Sequence, residues 1–300
     1  MTGAAALPGY LRGPIIDLMM SIPGGEDPYG FVRAGLRGAH RGDADSLPVA
    51  YLFKDAPKPP ADQPPVDFVL AEMARFGIAR ALIDVTASDG PGRAARRAHP
   101  GRFMGSFDVD PNTGMDGVRE LVAAHAAGVV DAVSAMPSVY SPPVPIDDRR
   151  FYPIYAKCVE LGLPIFVTVG VPGPRVPMAA QTVDRLDEVC WFFPDLQIVM
   201  RHGAEPWEDL AVKLMLKWPN LHYSTSGFAP KRYPSAIIDF ANSRGRNKVL
   251  YAGYFPVGLT LDRIFAELPR IGLKDDVWPD FLWGNARRLF GLPQTAVGQP

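Results

Sequence analysis

The 300-residue chain carries 31 Lys and Arg against 32 Asp and Glu, a formal charge of −1, with 47% hydrophobic and 21% charged residues. That is enough apolar sequence for one large core. The charge balance, without any Lys/Arg cluster interleaved with aromatics, excludes the electrostatic footprint of a nucleic-acid binder and leaves a small molecule as the expected partner.

From the N terminus, MTGAAALPGYLRG lacks a basic stretch followed by an apolar one, and no apolar run in the chain reaches the ~18 residues of a spanning helix, so a cytoplasmic protein is expected. GPIIDLMMSIP (residues 13–23) is an apolar run that meets Asp17 and turns at Ser21 and Pro23, which predicts a first strand over residues 14–20. Residues 24–65 are rich in Gly and Pro and carry RGAHRGD and YLFKDAPKPP. A connection this long is either a lid or binding loop, or a surface elaboration or dimer contact. VDFVLAEMARFG then shows helical spacing at Val66, Val69, Leu70, Met73 and Phe76, closed by Gly77.

Further strands are expected at residues 80–85, 102–109, 129–136, 164–170, 196–201, 221–226 and 248–253. Helical patterns at 114–128, 150–162, 178–193, 205–218, 235–245 and 261–272 alternate with them. Eight strand-helix units predict an α/β fold of the (β/α)8 barrel kind, in a single domain over residues 1–300. A last helix over 277–291 covers a barrel end, and 291–300 reads as a loose tail. The two cysteines, Cys158 and Cys190, lie in helical patterns and suit reduced core thiols. GPGRAARRAHPGR (90–102) spreads its arginines round a solvated helix, and VGVPGPRVP lacks the spacing of a phosphate-binding loop.

Barrel enzymes work at the C-terminal strand ends. In chain order those ends hold Met19 and Ser21; Asp84 and Thr86; Asp108 and Asp110; Met136 and Ser138; Thr168; Arg201 and His202; Ser224 and Ser226; and Gly253 and Tyr254. From about Phe151 onward, RFYPIYAKCVELGLPIFVTVG, DLQIVMRHGAEPW, NLHYSTSGFAPKRYP, FANSRGRNKVLYAGYFPVG and FLWGNARRLFGL resemble the amidohydrolase-related family, which includes aminocarboxymuconate-semialdehyde-type decarboxylases and related hydrolases. MARFGIARALI and AHPGRFMGSFDVDP are weaker matches. The resemblance implies the metal-dependent-hydrolase type of barrel and makes a homodimer the expected assembly.

The metal site it implies does not carry over. The family's strand-one histidine pair falls on Met19 and Ser21, its strand-five histidine on Thr168 and its strand-eight aspartate on Tyr254; only the strand-six histidine is kept, as His202. A catalytic zinc or manganese needs about three converging N, O or S ligands, so no metal and no other cofactor is expected. Asp84, Asp108 and Asp110 could rebuild a carboxylate site, but strand caps and turns use Asp in the same places.

Without a metal, water must be activated by a base or bypassed. His202 is a general acid/base by residue type, with Arg201 as an oxyanion clamp and Glu205 as the carboxylate that orients it; the alternative is a histidine bonded to backbone with no catalytic role. Tyr254 either donates a proton or fills the space of the absent ion. Substrate contacts are expected from Met19, Ser21, Asp84, Thr168, Arg201 and Trp207. Lys54, on the long loop, either reaches an anionic group or is a solvated lysine. Three functions follow: a metal-independent hydrolase of a small carboxylated or cyclic substrate, a carbon-carbon lyase (decarboxylase) or hydratase using the same pocket, and a non-catalytic barrel that binds a ligand or partner.

Overall fold

The computed structural model describes residues 13–24, 30–41, 48–53 and 56–293. Eight parallel strands pair in sequence order: β1 (Ile15–Asp17), β2 (Ile78–Asp84), β3 (Phe103–Asp108), β4 (Ala132–Ala135), β5 (Ile165–Thr168), β6 (Ile198–Arg201), β7 (Leu221–Ser224) and β8 (Val249–Leu250). β8 returns to β1 through the Leu18 N–H to Tyr251 carbonyl bond (3.3 Å), the Ser21 N–H to Phe255 carbonyl bond (3.1 Å) and a parallel bridge between Met20 and Phe255. These contacts close the TIM barrel expected from the alternation of elements. Among the described residues no helix is long and apolar enough to cross a membrane.

Two apolar layers follow from the alternation of side chains along each strand. Ile16, Leu18, Leu82, Met104, Ala132, Phe166, Val199, Leu250 and Ala252 fill the interior. Their neighbours, among them Ile15, Ile83, Phe103, Ile165 and Ile198, pack outward against the helices. Those helices include α1 (Pro65–Arg75), α2 (Pro91–Ala98), α3 (Met115–Ala126), α4 (Tyr152–Leu161), α5 (Leu186–Phe192), α6 (Glu208–Lys217), α7 (Ser235–Ala241) and α8 (Leu261–Glu267). The final helical segment, a π-helical turn at Asp280–Gly284 running into α9 (Asn285–Leu289), plugs the N-terminal end. Ala286, Trp283 and Leu289 reach the interior core, and Phe290 stacks on Phe166 at 6.2 Å. Both cysteines are buried free thiols.

Two expected elements differ in detail. The helix expected over 178–193 is broken, because Thr182 is extended (φ −72°, ψ 146°) and leaves two short 3-10 turns before α5. The first strand stops at Asp17, and Met19 to Ser21 belong to the rim. Of the long connection, residues 48–53 lie over the barrel. Phe53 packs its ring on Tyr254 at 5.4 Å, and the Tyr51 hydroxyl donates to the Gly173 carbonyl at 2.5 Å. Lys54 and the 294–300 part of the expected tail lie outside the described residues.

Candidate active site at the barrel mouth

Strand alternation decides what the mouth contains. Leu82, Met104, Ala132, Phe166 and Val199 face inward. Side chains an even number of residues further along, namely Asp84, Asp108, Ser134, Thr168 and Arg201, therefore line the inner face toward the C-terminal rim. Register sets them side by side: Asp84 pairs with Ser106, Asp108 with Ser134 and Thr168 with Arg201. Asp17 sits on the opposite parity, after outward-facing Ile15. It is fully buried at 0% exposure, and its Oδ1 accepts from the Gly253 N–H (2.8 Å) and the Met19 N–H (3.0 Å), tying β1 to the β8 exit. Burial raises its carboxyl to about 7, against the two backbone bonds and the facing Tyr251 hydroxyl.

Asp108 is the centre of the polar wall. The Tyr140 hydroxyl stands 3.2 Å and 3.4 Å from its two oxygens, and the Ser134 hydroxyl donates to Oδ2 at 3.4 Å. Burial first, then the neighbouring Asp84 charge, pushes the Asp108 carboxyl up to about 7, far above the ordinary carboxylate range. Thr86 connects the two acids: its Oγ1 accepts from the Asp108 N–H (2.8 Å) and donates to Asp84 Oδ1 (2.6 Å). Asp84 is open to water at the mouth, yet protein surrounds it on its other sides and raises its carboxyl too. Burial and the Asp108 charge hold the Tyr140 hydroxyl well above the ordinary phenol value.

Arg201 faces this wall from β6 and is 6% exposed. Burial lowers its pKa, while the charges of Asp108 and Asp84 act in the other direction. Its Nε and Nη2 both stand 3.4 Å from His202 Nε2. A guanidinium has only donors, so that imidazole nitrogen presents its lone pair, and the proton sits on Nδ1, 3.2 Å from the Ser226 hydroxyl. Burial, then the Arg201 charge, holds the His202 pKa well below the ordinary value, and the ring is neutral at pH 7. His202 (φ 63°), Ala204 (φ 74°) and Tyr254 (φ 67°) all adopt left-handed backbone, a cost that clusters at functional sites. The His202 and Tyr254 rings meet edge to face at 5.3 Å.

Comparison with known proteins now places the chain. The family model described as amidohydrolase matches residues 38–292. The chain belongs to the amidohydrolase family. No curated protein matches it. Among solved structures it resembles an uncharacterized TIM-barrel protein of Bordetella bronchiseptica, with a TM-score of 0.74 and 22% identity over 93% of this chain and 99% of that one. It also resembles the 5-carboxyvanillate decarboxylase of Novosphingobium aromaticivorans in complex with manganese and a nitrobenzoic acid (TM-score 0.64, 17% identity, 95% and 97% coverage). A third neighbour is the 4-oxalomesaconate hydratase of Rhodopseudomonas palustris (TM-score 0.57, 17% identity, 93% and 96% coverage). At these identities the likeness is one of fold.

The residues of this amidohydrolase mouth do not fit a metal. Among the described residues no three His, Cys, Asp or Glu side chains come together as a possible ion site. Asp110, one of the three acids that could have rebuilt one, caps a short turn through the Asn112 N–H at 2.8 Å. His202 is the single conventional donor left at the positions the resemblance implies, and its lone pair is directed at the Arg201 guanidinium.

Of the other expected site residues, Met19 packs on the interior core, and its carbonyl accepts from the Tyr254 N–H at 3.0 Å, so these two stand together at the β1–β8 seam. Ser21 is half-buried beside them. Glu205 does not orient His202: the imidazole bonds Ser226 and Arg201 instead, and the Glu205 carboxyl, raised by burial, has Glu208 as its charged neighbour. Trp207 precedes α6 and packs against the layer between barrel and helices. Of the polar wall, Asp108 was read from sequence only as a possible metal carboxylate, and Tyr140 was not singled out. Asp108 could have been found by counting inward from Met104 in steps of two, whereas Tyr140 sits in the loop after β4 without any periodic signal.

Proposed function

We propose that this amidohydrolase-family barrel is a metal-independent carbon-carbon lyase, a decarboxylase of small acids such as β-keto acids, whose carbanion is an enolate, or hydroxy-substituted aromatic acids, whose ring carbon accepts a proton. The observation that carries the reading is Asp108, a carboxyl raised to about 7 on the inner wall of the mouth. Such a group supplies a proton near neutral pH. In a β-keto acid the bond from the α-carbon to the carboxylate breaks, CO2 leaves, the electron pair is held as the enolate, and the Asp108 proton is transferred to that carbon. On a hydroxybenzoate the Asp108 proton is added first to the ring carbon that bears the carboxylate, and the electron pair of the breaking bond to CO2 then restores the aromatic ring; in both cases water returns the proton to Asp108. Tyr140 and Ser134 hold the carboxyl in place. The left-handed turns at His202 and Tyr254 aim both rings across the mouth, beside Phe53.

Hydrolysis with His202 as base has less support, because its lone pair faces Arg201 and its pKa is depressed. A hydratase is the second reading, favoured by Asp84, which is open to water and held by Thr86. The 5-carboxyvanillate decarboxylase and 4-oxalomesaconate hydratase among the structural neighbours are consistent with both. The test is CO2 release from a panel of hydroxybenzoates and β-keto acids in the presence of a chelator. Release that falls about 100-fold or more in Asp108→Asn supports the lyase. Release that survives this change, or that stops with chelator and returns with manganese, refutes it; hydration of an unsaturated acid without CO2 supports the hydratase.

A further inference from the structure

The loss of the metal leaves a question of charge: what positive group now serves the mouth. We infer that Arg201 and Thr168 together form a carboxylate-binding subsite in the place where the family's metal would stand. By the family resemblance Thr168 falls on a strand-five ligand position, and Arg201 directly precedes His202. The two are register partners on adjacent strands, about 4.8 Å apart, with both side chains on the inner face.

Two independent features show that this pair is built for an anion. First, the guanidinium is buried with no carboxylate among the described residues in contact: the charges of Asp108 and Asp84 act on it only from beyond ion-pair distance. No carboxylate among the described residues comes within the 4.0 Å of an ion pair, and its hydrogen bonds are two long contacts, both 3.4 Å, to the same lone pair of His202. Nη1 makes none. A buried cation in this state is costly unless an anion completes it. Second, the Thr168 hydroxyl, on a residue 9% exposed, has no hydrogen-bond partner in the protein, although buried hydroxyls almost always have one. A carboxylate on Arg201 would accept from Nη1 and from Thr168 Oγ1 at once. The planar fork of the guanidinium suits a carboxylate in particular. Met19 and the rings of Tyr254 and Phe53 provide an apolar side for the remainder of such a ligand.

This subsite rests on the proposed lyase only for its role in turnover; binding can be read alone. The experiment is titration calorimetry of the full chain with benzoate at pH 7.5 in the presence of chelator, with inorganic phosphate as a second probe. Benzoate is expected to bind, with its Kd raised about 30-fold in Arg201→Gln and about 5-fold in the near-isosteric Thr168→Val, and partly restored in Arg201→Lys. If Arg201→Gln does not fold, the Thr168→Val and Arg201→Lys titrations decide. Benzoate affinity unchanged across the folded variants overturns the proposal, and so does phosphate binding more tightly than benzoate. Arg201-dependent benzoate binding without CO2 release from any acid keeps the subsite and removes the lyase. CO2 release with benzoate binding indifferent to Arg201 and Thr168 does the reverse.

Discussion

Replacing Asp17 by Asn should change how stability depends on pH. Asp17 is fully buried, and its carboxyl is raised from the ordinary 3.8 to about 7. Below pH 3.8 the carboxyl is protonated in both folded and unfolded chains. Between there and pH 7 the unfolded chain gives up the proton while the folded chain keeps it, so stability falls as pH rises. At about 1.4 kcal/mol per unit, the loss reaches ~4 kcal/mol by pH 7 and is then constant. Asn keeps the oxygen that accepts from Gly253 and Met19, yet it has nothing to titrate. Urea unfolding of both proteins at pH 4.5, 6 and 8 should show the wild type losing ~3 kcal/mol relative to Asp17→Asn across this range. Parallel pH profiles would refute the reasoning and show that Asp17 ionises within the folded seam.

Gly253→Ala should strike the same seam. A Cβ there meets Asp17 Oδ2 at 2.5 Å and the Tyr251 hydroxyl at 2.7 Å, and the overpacking is expected to cost about 1–3 kcal/mol in urea unfolding; an unchanged midpoint would mean that the seam yields freely. The pH profile of turnover should also report Asp108. Its donor form is protonated, so the rate should fall as pH rises through about 7, and a rate still climbing at pH 9 would assign the proton to another group.

The barrel was legible because its inner and outer faces are both apolar, so β-branched runs such as PIFV and LQIV stand out between amphipathic helices. Strand ends were less so. Met19 and Met20 continue the apolar run of β1, but the chain leaves the ladder after Asp17 because its carboxyl binds the Met19 and Gly253 amides across the seam. That Met19, Ser21, Thr168 and Tyr254 stand at the positions where the resemblance implies metal ligands could be read from the sequence alone. How the mouth is arranged could not, because the facing of Arg201 toward His202 depends on rotamers and the pairing of Thr168 with Arg201 on register. The meeting of Tyr140 with Asp108 joins the loop after β4 to the end of β3, 32 residues away. Left-handed backbone at Tyr254 has no signature in its residue type. Phe53, on the long connection that reads either as a lid or as a surface elaboration, packs on Tyr254, a contact between distant segments that local pattern does not encode.

The central claim is that this amidohydrolase mouth works without a metal, and elemental analysis tests it most directly. Protein expressed with added zinc and manganese and purified without chelator should contain far less than one metal per chain, with no change in His202→Ala. A content near one per chain that is lost in His202→Ala would contradict the account.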